Sequence, residues 1–212
     1  MKKYIIACLC ICTLCLSLPA QIQVDYQPLT FGIKAGVNLS SAGGDIKGTK
    51  SKIAYNAGIT VDYAINPVLY ILTGLEYTVK GYKYNMVKIV DGDNSTDYQK
   101  TNGYKKAEAV FIQLPVYAAY KLDLSRHSRI VTFGGPYAAY GISGKTDTDD
   151  GEVDTFGDKG LDRLDFGIGF GGGIEVHKVV FAIGCELGLA NLNEKENKVR
   201  MANAYFSMGY KF

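Results

Sequence analysis

Few residues of this 212-residue chain have the types and spacing that chemistry requires. Gly167-Ile168-Gly169-Phe170-Gly171-Gly172 fits the GxGxxG pattern, which holds a pyrophosphate where a strand passes into a helix. Here apolar alternation continues through the glycines to Val176 and no helical pattern follows. The glycines therefore read as inward strand positions that let a sheet curve sharply. Asp91, Asp93, Ser95 and Asp97 carry oxygens at alternate positions, as a calcium loop does. Thr96, however, stands where such a loop needs glycine, and Asn102 where it needs a closing glutamate. Asp147, Asp149, Asp150, Glu152, Asp154 and Asp158 have no ligand spacing either, so both acidic segments read as solvated loops. The two histidines, His127 and His177, fall in short polar turns, and no nucleophile and base can be assembled around them. Cys185 has no activating neighbour. No catalytic, cofactor or metal site is expected.

What remains is a set of charges placed at every second residue, and the elements that must position them are strands. The last fifteen residues, Lys198–Phe212, set Ala202, Ala204, Phe206, Met208, Tyr210 and Phe212 against Asn203, Tyr205, Ser207, Gly209 and Lys211. A period of two sends side chains to opposite faces of a strand. The same alternation occurs in Phe31–Leu39, Lys52–Ile65, Leu69–Lys80, Glu108–Tyr120, Leu164–Val176 and Val179–Leu189. Arg129–Ser143 alternates less cleanly, with Val131, Phe133, Gly135, Tyr137 and Ala139 as the expected outer set. Eight strands result. Their connections alternate between short (Asn66-Pro67, Asp123–Ser128, His177-Lys178) and long (Ser40–Ser51, Gly81–Lys106, Gly144–Asp162, Asn191–Asn197).

The first twenty residues predict export. Lys2 and Lys3 precede an apolar run, Tyr4–Leu18, and Pro19-Ala20 precedes a plausible cut before Gln21, the layout of a signal peptide. A lipoprotein would need a small residue just before a cysteine, whereas Leu9, Ile11 and Leu14 precede Cys10, Cys12 and Cys15. Cleavage removes four of the five cysteines, so the mature chain cannot form an internal disulfide. The 23 basic residues lose two and then balance the 21 acidic ones, which gives no footprint for nucleic acid. The expected organisation is a signal peptide over 1–20, a polar leader over 21–30 and a barrel over 31–212.

A membrane barrel and a soluble barrel place polarity oppositely. The apolar set is nearly free of charge in all eight strands, Arg200 being the main exception. A charge facing mid-bilayer costs about 2–4 kcal/mol. The other set, rich in Gly, Ala, Thr and Asn, suits a narrow lumen better than a water-facing surface. Tyr55, Tyr63, Tyr77, Tyr82, Tyr120 and Tyr210 lie near strand ends, where interfacial girdles form. The fold class is thus all-β, an eight-stranded antiparallel up-and-down transmembrane barrel with its short turns on the periplasmic side. Lys34, Asp62, Glu76, Lys80, Lys121, Asp165, Glu175, Glu186 and Lys211 then point inward and need partners. A lumenal network of Lys34, Glu76 and Glu186 is expected, with Asn38, Asn56 and Gln113 filling gaps. Eight strands leave an interior that side chains fill, so a plugged cylinder is expected.

The stretches GIKAGVNLS (32–40), FIQLPVYAAYKL (111–122), TFGGPYAAYGISGK (132–145), DFGIGFGGGIEV (165–176), ELGLANL (186–192) and YFSMGYKF (205–212) together resemble the PorT-like outer-membrane β-barrel domain of Bacteroidetes-type bacteria. The resemblance spans about residues 30–212. It implies an eight-stranded barrel in the outer membrane, inserted by the barrel-assembly machinery. That machinery reads a C-terminal signal, and Tyr210 and Phe212 match the signal's aromatic pair. It implies no catalytic residues. The expected function is that of a structural or surface-interaction barrel acting through loops 81–106 and 144–162. Alternatives are an accessory subunit of an envelope secretion or assembly complex, and a narrow channel for small solutes. Expected partners are outer-membrane lipid and lipopolysaccharide, periplasmic chaperones during biogenesis, and an extracellular ligand at the loops. Loose bridging by divalent ions from the acidic loops to lipopolysaccharide phosphates stays open, and a monomer is expected.

Overall fold

The period-two segments become strands that pair with their sequence neighbours, as short polar turns between alternating runs require. A computed structural model describes residues 27–44, 49–92, 95–148, 151–156, 161–192 and 199–212; within these, the side chains of 84–105 and of Thr148 are not described. The signal peptide expected over 1–20, most of the leader expected over 21–30, and Asp93, Asp149, Asp150 and Asp158 lie outside the described residues. The strands are β1 (Leu29–Gly44), β2 (Thr49–Ala64), β3 (Leu69–Gly92), β4 (Ser95–Ser125), β5 (Ser128–Thr148), β6 (Gly151–Asp154), β7 (Leu164–Val176), β8 (Val179–Gly188) and β9 (Val199–Lys211).

All pairings are antiparallel. β1 pairs with β9 from Gly32↔Lys211 to Gly44↔Val199, and β4 pairs with β5, so β1–β5 and β7–β9 close into a ring of eight with no free edge. The short β6 lies outside the ring and pairs only with the end of β5. Closure satisfies every rung of the ladder internally, the condition for strands to cross a bilayer.

The outer face carries the apolar set. Phe31, Ile33, Val37, Ile59, Leu75, Leu114, Phe170, Ile183, Phe206 and Met208 are exposed, whereas Asn38, Ser40, Asn56, Glu76, Gln113 and Glu186 are buried. Tyr63, Tyr120 and Tyr210 flank this band at the end of the short turns. Tyr55 and Tyr77 flank it at the other end, their rings stacked 6.1 Å apart. Tyr82, expected in that girdle, instead packs against the buried cluster inside the mouth.

Three loop expectations are corrected. Ser40–Ser51 is mostly strand, since β1 runs to Gly44 and β2 begins at Thr49. Gly81–Lys106 is not a loop: β3 and β4 pair through it, from Gly81↔Glu108 to Gly92↔Ser95. Gly144–Asp162 contains the end of β5, then β6, then a turn whose Thr155 and Phe156 are buried. Two strands that pair only with each other can form a backbone ladder without the alternation that a half-buried sheet imposes on its sequence.

β5 is also corrected. Val131, Tyr137 and Ala139 are buried and Phe133 is half-buried, while Ile130, Tyr140 and Ile142 are exposed. The assigned outer set therefore lines the lumen. Cross-strand partners share a face, and β4 pairs Pro115 with Tyr137, Gln113 with Ala139 and Ala119 with Phe133. Val79 and Val110, also assigned to lipid, are cross-strand partners at 1% and 8% exposure, buried in a small cluster with Ala54 and packed by Tyr77. The β2–β3 register shifts between Ser51 and Asn56, beside this cluster.

Candidate functional site

The lumen is built in layers, each set by where inward residues of non-adjacent strands meet. Nearest the short turns, Lys121 of β4 donates to Asp62 of β2 at 2.6 Å and to Glu175 of β7 at 2.9 Å. Lys211 of β9 reaches the same two carboxylates, Asp62 at 2.5 Å and Glu175 closer still. Two positive and two negative charges thus form a closed square, with Lys121 also 4.2 Å from the Tyr70 ring centroid. A buried charge is tolerated when partners surround it, and this square satisfies four.

Above it, Lys34 pairs with Glu76 at 2.5 Å. Lys34 and Glu76, both proposed for one network with Glu186, thus meet each other. Glu186 is held elsewhere: it accepts from Gln113 Nε2 at 2.6 Å and from Asn203 Nδ2 at 3.2 Å, and lies 3.6 Å from Lys80 Nζ. Lys80 also donates to Asp165 at 3.3 Å, and the Tyr137 hydroxyl donates to the same carboxylate oxygen at 3.3 Å. Asn56 donates to Asn38 Oδ1 at 2.5 Å, and Asn38 donates to Thr78 Oγ1 at 3.0 Å and the Val79 carbonyl at 3.1 Å. The six network residues therefore divide among three groups rather than one. Lys80, Asp165, Lys121, Asp62, Glu175 and Lys211 carry most of the lumen's other charge pairing. Alternation marks them as inward, but nothing in the sequence states which strands face each other across the barrel.

The glycines of β7 have a second use. A Cβ on Gly169 would strike the Tyr117 hydroxyl, one on Gly167 would lie 2.7 Å from the Tyr137 hydroxyl, and one on Gly171 would lie 2.7 Å from Phe133 Cζ. In β8, Gly184 receives Tyr205 in the same way, at 2.5 Å. These glycines are sockets for large side chains crossing the lumen. The GxGxxG segment is β-strand throughout, with no helix to receive a phosphate.

Toward the long loops the lumen turns apolar. Phe111, Ala139, Leu192, Val199 and Met201 pack with Phe156 and Leu161 across the mouth. Phe111 and Phe156 meet edge to face at 5.6 Å, and Arg163 covers Phe156 at 5.1 Å. Below this seal, a cavity of about 100 Å³ lies among Leu72, Phe133, Tyr117 and Tyr205. Outside the barrel wall, exposed Lys145 and Glu152 of the β5–β6 hairpin pair at 2.7 Å, and the hydrogen bond to Glu152, with its charge, raises the lysine's pKa.

His127 and His177 do not assemble a catalytic set. Their rings stack on each other, centroids 4.5 Å apart, at the tips of two neighbouring turns. Among the described residues no group of three or more His, Cys, Asp or Glu could hold a metal. Cys185 is a free thiol on the alternation that carries the lipid-facing Ile183 and Leu187. Tyr210 and Phe212 stack edge to face at 5.8 Å on the outer face.

A closed, apolar-clad ring of eight strands with charges paired inside agrees with the family comparison, in which the outer membrane protein beta-barrel domain matches residues 20–194. The chain belongs to that family. Solved barrels similar to this family member include Neisserial surface protein A (14% identity, covering 88% of this chain and 100% of that one, TM-score 0.49). Ail of Yersinia pestis, solved with the heparin analogue sucrose octasulfate, has 12% identity, 88% and 100% coverage and a TM-score of 0.46. OprG of Pseudomonas aeruginosa has 14% identity, 91% and 99% coverage and a TM-score of 0.45. No protein of curated function matches the chain. The family membership places the barrel in the outer membrane.

Proposed function

We propose that this outer-membrane barrel is a non-catalytic surface-interaction protein whose working part is the β3–β4 ribbon. The observation that carries the reading is how far the ribbon stands clear of its neighbours. β2 pairs with β3 only to Thr49↔Tyr84, and β5 pairs with β4 only to Ala107↔Thr146. Beyond those rungs β3 and β4 pair only with each other, from Asn85↔Tyr104 to Gly92↔Ser95. At the ordinary rise per residue the ribbon reaches about 25 Å past the rim. Both its edges lack a further strand among the described residues, and unpaired edges can add a strand from a partner. The apolar seal at the mouth supports interaction over conduction.

The motifs quoted above support a place in the PorT-like group, export by the 1–20 signal, and recognition of Tyr210 and Phe212 by the assembly machinery. The test is deletion of 88–102 in the full chain. Loss of extracellular ligand or partner capture, with the boiled-versus-unboiled gel shift retained, supports the reading. Capture unchanged by the deletion sinks it, and solute-dependent conductance in planar bilayers would favour the channel.

A further inference from the structure

The short-turn end, which the sequence assigns to the periplasmic side, carries a basic cluster that the lumen's charge pairing leaves over. The β4–β5 turn presents Arg126-His127 and the β7–β8 turn presents His177-Lys178. The two turns are tied by the His177 N–H donating to the His127 carbonyl at 2.7 Å. His177 holds φ at +56°, a strained value for a non-glycine residue, in the turn that brings its ring onto His127. The result is a continuous row, Arg126, His127, His177, Lys178, with the imidazoles stacked at its centre.

Beside the row is a hollow of about 260 Å³, lined also by Lys121, Arg129, Glu175 and Lys211. Of these, Lys121, Lys211 and Glu175 belong to the neutral square with Asp62, and Arg129 is held by Asp123 at 2.5 Å. Arg126 and Lys178 have no carboxylate within ion-pair reach among the described residues. Lys178 lies 6.0 Å over the Tyr210 ring. Two unpaired cations with two imidazoles between them are complementary to a phosphate, whose oxygens accept from several donors at once.

The position of the row selects the source of that phosphate. Leu124 stands two residues before Arg126, and Val176 stands two before Lys178; both are exposed on the lipid side. Ile130 and Ile174, paired across β5 and β7, continue the exposed strip toward mid-membrane. A soluble anion would have no use for that strip, whereas a lipid tail would lie along it. We propose that the row binds the phosphate headgroup of an anionic phospholipid in the periplasmic leaflet, the acyl chains lying over Leu124, Ile130, Ile174 and Val176. This rests on the membrane reading and adds a lipid preference to it.

Native mass spectrometry of the full chain, released from nanodiscs of phosphatidylcholine with a minority of phosphatidylglycerol, tests the proposal. The natural chain is expected to retain phosphatidylglycerol in preference to phosphatidylcholine. Each basic residue removed should lower retention about fivefold, so R126Q/K178Q should fall roughly twenty-five-fold, while K145Q on the opposite side should leave retention unchanged. The gel shift checks insertion of each variant, and K178Q alone, with its smaller expected loss, serves where the double variant does not insert. Equal retention of phosphatidylcholine by the natural chain, or undiminished retention by an inserted variant, overturns the proposal. Inorganic phosphate binding to the detergent-held barrel, with no preference for the anionic lipid, would reassign the site to a soluble anion and also overturn it. A chain that shows no gel shift and does not enter nanodiscs would instead refute the membrane reading itself.

Discussion

Replacing Lys80 with methionine is the most exacting test of the lumen. The side chain is fully buried, 3.3 Å from Asp165 and 3.6 Å from Glu186, with the Tyr137 ring 4.4 Å away. Methionine keeps the volume and removes the charge, leaving two buried carboxylates without their shared cation. Glu186 keeps amide donors from Gln113 and Asn203, but Asp165 keeps only the Tyr137 hydroxyl, and its Oδ1 has no partner. The loss therefore falls on Asp165. Breaking a buried pair costs about 3–5 kcal/mol. The chain can escape part of that by protonating the stranded acid, which for an ordinary aspartate costs roughly 4 kcal/mol at pH 7 and about 1.4 kcal/mol less for each pH unit lower. The two figures agree, so K80M is expected to lose about 4 kcal/mol at pH 7 and less than about 2 kcal/mol at pH 5. The deficit shrinks on acidification because proton uptake by the folded variant then costs less. Adding D165N should recover most of the loss at pH 7. The chain has no tryptophan, so urea unfolding in phospholipid vesicles is followed by tyrosine fluorescence and gel shift. A K80M deficit below about 1 kcal/mol, or one independent of pH and unrescued by D165N, would refute the argument.

Three further outcomes are expected. Ile59→Lys, midway between the outward Tyr55 and Tyr63, should cost about 2–4 kcal/mol in vesicle unfolding, as expected for a lysine facing lipid. Gly169→Val should drive a side chain into Tyr117 and cost about 1–3 kcal/mol; pairing it with Tyr117→Ala should lessen the loss by restoring the socket, as a double-mutant cycle in the same assay would show. Phe156→Ala should remove the edge-to-face contact with Phe111 and open the seal. It should speed proteolysis within 149–163 severalfold with the barrel core still resistant, whereas unchanged cleavage would mean that Phe156 does not hold that segment down.

The amino-acid sequence by itself determined the strand count of the ring, its closure by the first and last strands, and the lipid face of seven strands apart from Val79 and Val110. It could do so because a period of two against an apolar outside leaves one register in which, Arg200 apart, almost no charge faces lipid. It marked nine inward charges for the same reason, but not Lys52, which is buried against Glu108, nor the half-buried pair Arg129–Asp123. It did not determine β5, where Val131, Phe133 and Tyr137 on one side compete with Ile130, Tyr140 and Ile142 on the other. Both sets are apolar, so only pairing with Gln113 and Pro115 of β4 and with the socket glycines of β7 decided which set turned inward. Nor did it determine that Glu186 meets Lys80 and Gln113 while Lys34 meets Glu76, since partners across a lumen depend on strand stagger and tilt, which closure sets. The β3–β4 ribbon shows no alternation in its sequence, and its extent came from the backbone ladder alone. The stacking of His127 on His177, fifty residues apart, likewise exists only because the closed ring places their two turns side by side.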